Sequence, residues 1–248
     1  MYHQPTSAGA GGEARDSLML MLFHHPFCPH SRFVRIVLGE YNTAARLVEE
    51  RVWERRDSFL VLNPAGTTPV LVDEGRPAVP GAEIIAEYLD ETLGASLGER
   101  RLLPPDSCER VEVRRLMNWF HVKFFEEVSG LLVAEKIYKR HMPLDQGGGP
   151  PESESIRVAR RNIRYHLAYI GWLMQNRNWL AGNRLSYADL AAAAHLSCID
   201  YLGDVPWHED EGAKNWYARI KSRPSFRPIL ADALPGTPPA PSYADLDF

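Results

Sequence analysis

In residues 18–41 an apolar run, Leu18-Met19-Leu20-Met21-Leu22-Phe23, gives way to His24-His25-Pro26-Phe27 and then to Cys28-Pro29-His30-Ser31-Arg32, where a helical pattern begins. The apolar run has the length of a buried strand. The proline fixes how the next element starts: the first N–H groups of a helix have no intrahelical partner, so proline at the first helical position sacrifices nothing. Pro29 in that place makes Cys28 the N-cap residue. A thiolate there faces the positive end of the helix dipole and unpaired amides, which lowers its pKa and raises its reactivity. If the chain carries a nucleophile, Cys28 is the residue to expect; the alternative is an inert capping thiol. Beyond it Phe33, Ile36 and Val37 share one helical face, with Val34, Leu38 and Tyr41 beside it and Arg32, Arg35 and Glu40 directed outward.

The following elements are legible from period and turn chemistry. Residues 45–52 read as a second strand and 53–62 as a short helix or irregular loop. Asn63-Pro64-Ala65-Gly66-Thr67-Thr68-Pro69 is a turn cluster leading into Val70-Leu71-Val72, and Asp73-Glu74-Gly75-Arg76 returns the chain to a short strand around Ala78-Val79. An amphipathic helix over 81–93 carries Ile84, Ile85, Tyr88 and Leu89. After a polar linker, residues 106–140 repeat Leu116, Trp119, Phe120, Phe124, Val128 and Leu131 or Leu132 at helical spacing, and 152–176 do the same with Ile156, Ile163, Leu167, Ile170 and Leu173. Ser186 and Asp189 have the spacing of a capping box, flanked by Leu185 and Leu190 as a hydrophobic staple. The alanines 191–194 make that helix thin enough to lie deep among others, and Asp189 reads as a folding residue.

A net charge of −4 argues against general nucleic-acid binding. The basic residues on the two long helices, among them Arg114, Arg115, Lys123, Arg157, Arg160, Arg161 and Arg164, read as solvated faces. Three widely spaced cysteines suit a reducing compartment better than a disulfide framework. No apolar run reaches the length of a membrane span, and residues 1–17, Gly-, Ala- and Ser-rich, read as a disordered lead-in without signal-peptide character. A cytoplasmic protein is expected. His24, His25 and His30 lie near Cys28 but lack the spacing of a recognised metal site, so no metal is expected.

Several segments, taken together and in order, resemble the glutathione S-transferase family: Phe27-Cys28-Pro29-His30-Ser31-Arg32, Asn63-Pro64-Ala65-Gly66, Thr68-Pro69-Val70-Leu71, Glu87-Tyr88-Leu89-Asp90, Leu180-Ala181-Gly182, Ser186-Tyr187-Ala188-Asp189, and Arg223-Pro224-Ser225-Phe226. The resemblance implies a thioredoxin-like α/β domain over 18–98 and an all-helical domain over 106–230. It also implies where glutathione would sit. Phe23 stands near the position where tyrosine-using members keep their tyrosine, so Cys28 would face the glutathione sulfur as in the omega-like, cysteine-using members. Thr68, ahead of a cis Pro69, would pair its backbone with the ligand. The acidic or amide residue and serine that hold the γ-glutamyl end fall on Gly81-Ala82, which offer no side-chain partner. Losing contacts worth roughly 1.5 to 3 kcal/mol for each hydrogen bond to a charged group would lower glutathione affinity by orders of magnitude.

The end of the chain, 235–248, is a proline-rich spacer followed by Ser242-Tyr243-Ala244-Asp245-Leu246-Asp247-Phe248. Tyr243, Leu246 and Phe248 have the form of apolar anchors, and Asp245 and Asp247 of acidic contacts, in a linear partner-binding motif; the alternative is a terminus packed on its own domain. The Cys-Pro loop, the degraded glutamyl site and this tail together resemble the cell-division branch of the family. That resemblance implies a homodimeric, non-catalytic scaffold at the division site that binds FtsZ filaments and regulates their curvature and septal constriction. The alternative is an omega-like thiol transferase using Cys28 and glutathione as cofactor.

Overall fold

The computed structural model describes residues 20–246; the lead-in expected over 1–17, the first residues of the expected strand, and Asp247 and Phe248 lie outside them. Strand β1, Leu20–His24, pairs in parallel with β2, Ala45–Glu49, and antiparallel with β3, Val70–Val72, which pairs antiparallel with β4, Val79–Pro80. The sheet order is therefore β2-β1-β3-β4. Helix α1, Pro29–Glu40, starts at the proline as its geometry requires, with Cys28 at the N-cap. A short helix α2, Asp57–Leu62, resolves the ambiguous segment, and α3, Ala82–Leu93, closes the unit with Ile85, Ala86 and Leu89 buried.

The helical half begins with α4, Ser107–Asn118, whose N-cap Asp106 accepts from the amides of Cys108 and Glu109 at 2.9 Å. The helix then runs on through wide-turned π stretches at Trp119–Ser129 and Ala134–Tyr138 to Lys139–His141. Its buried stripe, Leu116, Phe120, Phe124, Val128 and Leu132, has a strict spacing of four. In an α-helix residues four apart drift by ~40° around the axis; wider turns reverse that drift, so alternating the two keeps the stripe straight. Helix α5, Ser153–Met174, packs on it through Ile163, Leu167 and Ile170. Helix α6, Tyr187–Tyr201, is buried along its whole length, and α7, Glu211–Lys221, and α8, Arg227–Leu230, complete the bundle.

Two local devices hold α6 in place. The capping box closes, with the Asp189 carboxylate accepting from the Ser186 amide at 3.0 Å. Its other oxygen accepts from the Leu180 amide at 2.8 Å and the Trp216 indole at 3.0 Å, so Asp189 joins three chain segments. Near α7, a Cβ on Gly171 would fall 2.1 Å from the Asp210 carboxylate that caps that helix, so α5 and α7 meet only because the position is glycine.

The two halves meet along α1 and α6. Glu40 receives both Nε and Nη2 of Arg223, at 2.6 and 2.7 Å, and the Tyr41 and Tyr187 hydroxyls share a 2.7 Å hydrogen bond. Arg32, expected to point outward, is instead completely buried. It lies on the α1 face covered by the helical half, and its guanidinium reaches Pro26 O, Ser197 Oγ, the Tyr243 hydroxyl and Asp232. Several basic residues of the long helices are paired with carboxylates, Arg114 with Glu87, Arg115 with Glu112, Arg160 with Asp204 and Arg164 with Glu209.

Candidate functional site

The loop between β1 and α1 carries Cys28 to the seam between the two halves. The Cys28 amide donates to His25 O at 3.0 Å, fixing the turn, and its sulfur lies 3.7 Å from Thr68 O. The Thr68-Pro69 peptide is cis, and Pro69 O accepts from Gly81 N at 3.0 Å. Cys28, Thr68 and Pro69, expected together, do line one cavity of about 420 Å³, with Gly81 and Ala82 on its far wall. Gly81 caps α3 with φ of 91°, a left-handed backbone suited to glycine, and brings no side-chain acceptor to the helix end. The rest of the lining, including Val52, Phe125, Val133 and Tyr138, is largely apolar.

Burial opposes ionisation of the Cys28 thiol, but the His30 imidazole, by hydrogen bond and charge, and the Ser31 hydroxyl and amide outweigh it and bring the pKa down to about 7. Burial, the largest single effect, pushes His30 down, but Cys28, the His121 carbonyl and Glu83 together raise it, so the pair favours thiolate and imidazolium. The Tyr138 hydroxyl, held protonated by burial and by Cys28, faces the same sulfur. Around Cys28 the structure sets His30, which the sequence already placed nearby, and Tyr138, which it did not.

The histidines divide differently from their order in the chain. His25 accepts the Phe27 amide on Nδ1 at 3.2 Å and serves the turn. His24, buried beside Arg35, is held neutral, its pKa lowered to about 3. His30 stacks on His121 with ring centroids 5.0 Å apart and contacts His195 at 5.1 Å, so the histidines that gather come from α1, α4 and α6.

The expected partner-binding tail is split by the structure. Tyr243 is completely buried, against Phe27, Cys198 and Tyr201, with its hydroxyl donating to Ile229 O at 3.0 Å and accepting from Arg32 at 3.2 Å. This corrects its assignment as a partner anchor: a large ring that fills a pocket in its own chain is not available to another. The preceding prolines wrap over α6, with Ala240 N donating to Tyr201 O at 2.9 Å and the Tyr201 hydroxyl to Thr237 O at 2.6 Å. Leu246 remains 41% exposed and Asp245 is exposed, while Asp247 and Phe248 lie outside the described residues.

A mixed four-stranded sheet carrying a cis-proline loop and an N-capping cysteine, joined to a helical bundle with a buried capped α6, defines a thioredoxin-like domain followed by an all-helical domain. The chain belongs to the glutathione S-transferase family: its N-terminal domain model matches residues 22–96 and its C-terminal domain model residues 139–224. Among its relatives, FtsZ-localized protein A of Caulobacter vibrioides is 47% identical over 230 residues, covering 92% of this chain and 97% of that protein. The crystal structure of a glutathione S-transferase from Sinorhizobium meliloti 1021 matches with TM-score 0.91 at 53% identity, covering 93% of this chain and 100% of that one. The structure of FzlA from C. crescentus matches with TM-score 0.85 at 47% identity, over the same shares.

Proposed function

We propose that this chain is a homodimeric, non-catalytic scaffold of the division machinery that binds FtsZ filaments in the cytoplasm at the division site and regulates their curvature and septal constriction. The observation that carries the reading is the near full-length similarity to FtsZ-localized protein A. The bare glycine and alanine at the glutamyl end of the cavity support it, because they remove side-chain recognition of glutathione. A dimer displays two equivalent surfaces, and two linked sites on one filament raise effective concentration and impose a relative geometry. Within the described tail, Leu246 is the exposed apolar side chain offered to a partner, and Asp245, also exposed, interacts with Lys221 of its own chain.

Co-sedimentation with FtsZ polymer tests this. The protein is expected in the polymer pellet, with less recovered for Leu246→Asp if the tail contributes. Absence from the pellet across salt and nucleotide conditions would overturn the reading.

The Cys28–His30 pair favours one competing reading, an omega-like thiol transferase in which the Cys28 thiolate attacks the glutathione sulfur of a substrate–glutathione disulfide, forming a Cys28–glutathione disulfide and releasing the substrate thiolate. Calorimetric titration with glutathione separates the two. Micromolar affinity would sink the non-enzymatic scaffold, and no heat at millimolar ligand would sink the transferase.

A further inference from the structure

We propose that His30, His121 and His195 bind one divalent transition-metal ion of the zinc class at the seam between the two halves of the molecule. One ring nitrogen from each lies within 4.8 Å of the others. The residues come from α1, α4 and α6, so an ion there would tie the thioredoxin-like sheet unit to the helical bundle.

The polar environment matches a ligand set. His195 Nδ1 lies 2.7 Å from Ser129 Oγ and its Nε2 lies 3.1 Å from His121 Nδ1. With Ser129 accepting from Nδ1–H, Nε2 of His195 presents its lone pair, the arrangement by which an outer hydrogen bond orients a metal-binding imidazole. His121 Nε2 is buried and has no hydrogen-bond partner among the described residues, a condition rare enough in folded proteins to require an explanation. Burial keeps His121 and His195 neutral, as imidazole ligands must be, whereas His30, with Nε2 on His121 O at 3.1 Å and Cys28 beside it, gives up its second proton and that hydrogen bond when it binds. Nitrogen donors select zinc, copper, nickel or cobalt over magnesium and calcium.

Access and charge also fit. His30 lines the cavity that holds Cys28, which opens a path from solvent. The Cys28 sulfur and the Glu83 carboxylate both act on His30 and supply negative charge beside the ion. Tetrahedral coordination at about 2.0 to 2.1 Å places ligand nitrogens ~3.4 Å apart. The longest separation must therefore close by ~1.4 Å, within reach of ring rotations about χ1 and χ2, and binding releases the second ring proton of His30, while His121 and His195 each keep the N–H that does not face the ion.

The test uses full-length protein without a histidine tag, stripped with chelator, and titrated with Zn2+ by calorimetry and with Co2+ by visible absorption. One ion per chain is expected, with the intense bands of tetrahedral Co2+ and a higher unfolding temperature on loading. Ser129→Ala, which touches no ion but strands the buried Nδ1–H of His195, is expected to weaken affinity about 10- to 100-fold and to lower the unfolding temperature of the stripped protein modestly. His121→Gln should abolish the bands. Should that variant fail to fold by circular dichroism, His30→Gln, at the cavity wall, carries the same expectation. Failure of the wild type to bind at millimolar ion, or undiminished binding by His30→Gln, overturns the proposal. Retained stoichiometric binding by Cys28→Ser supports three imidazoles as the ligand set, and complete loss in that variant overturns it.

Discussion

Replacing Tyr243 tests how the tail is used. Its ring fills the space between Phe27, Cys198 and Tyr201, and its hydroxyl links Arg32 of α1 to Ile229 O of α8. Tyr243→Phe keeps the ring and removes the hydroxyl. Arg32 retains Pro26 O, Ser197 Oγ and Asp232, and Ile229 O still accepts from Asp232 N, so no buried group is stranded. The loss is that of one hydrogen bond with a charged donor and one neutral one, about 2 kcal/mol after compensation. Tyr243→Ala also empties a buried aromatic site, for which large-to-small substitutions cost about 3 to 5 kcal/mol. The total is bounded by the free energy of letting the tail go, so about 4 kcal/mol is expected. With a urea slope of about 3 kcal/mol per M, the unfolding midpoint should fall by roughly 0.7 M for the phenylalanine variant and roughly 1.3 M for alanine. A wild-type midpoint and slope for Tyr243→Ala would refute the reasoning. The same arithmetic governs partner experiments: deleting the tail before Tyr243 removes a core residue, so lost FtsZ binding in that deletion would report folding as much as recognition. Leu246→Asp avoids the ambiguity.

In chelator-treated protein, alkylation of Cys28 by a small neutral reagent should rise with pH through a midpoint near 7, because the thiolate is the nucleophile and His30 favours it; His30→Asn should move the midpoint upward, and a wild-type midpoint at the ordinary value of 9.0 would contradict the pairing. Glu40, its carboxyl held below 4.5 by Arg223 and Ser225 against the opposing effect of burial, contributes stability that is present above that pH and lost as pH falls through the lowered folded value. Acid unfolding curves of the wild type and Glu40→Gln should therefore converge once pH falls below the lowered folded value, and a constant gap would count against the clamp. Asp189→Ala strands the amides of Leu180 and Ser186 and the Trp216 indole, and should cost about 4 kcal/mol by chemical denaturation; a loss under 1 kcal/mol would show that α6 does not depend on its cap.

What the residues by themselves determined was everything governed over a few positions of backbone. Pro29 dictates where α1 begins and Cys28 where it is capped, the Ser186 and Asp189 spacing starts α6, and turn residues set β3 and β4. Each follows from dihedral limits and free N–H groups that act within one turn. The amphipathic stripe of α4 was equally plain, although its wide turns were not, since a spacing of four is compatible with either geometry over a short stretch.

Tertiary packing decided the rest. Arg32 has the sequence position of a solvent-facing residue on α1 and becomes core because the helical half covers that face, with Ser197 of α6 and Tyr243 of the tail supplying partners 165 and 211 positions away. Tyr243 has the look of an exposed anchor and becomes structural for the same reason. His30 meets the backbone of His121 across 91 positions, and His121 meets His195 across 74. No local period connects such residues, because their proximity is set by how α1, α4 and α6 pack around one seam. That seam places the activated Cys28 thiol, the glycine-walled cavity and the three imidazoles side by side.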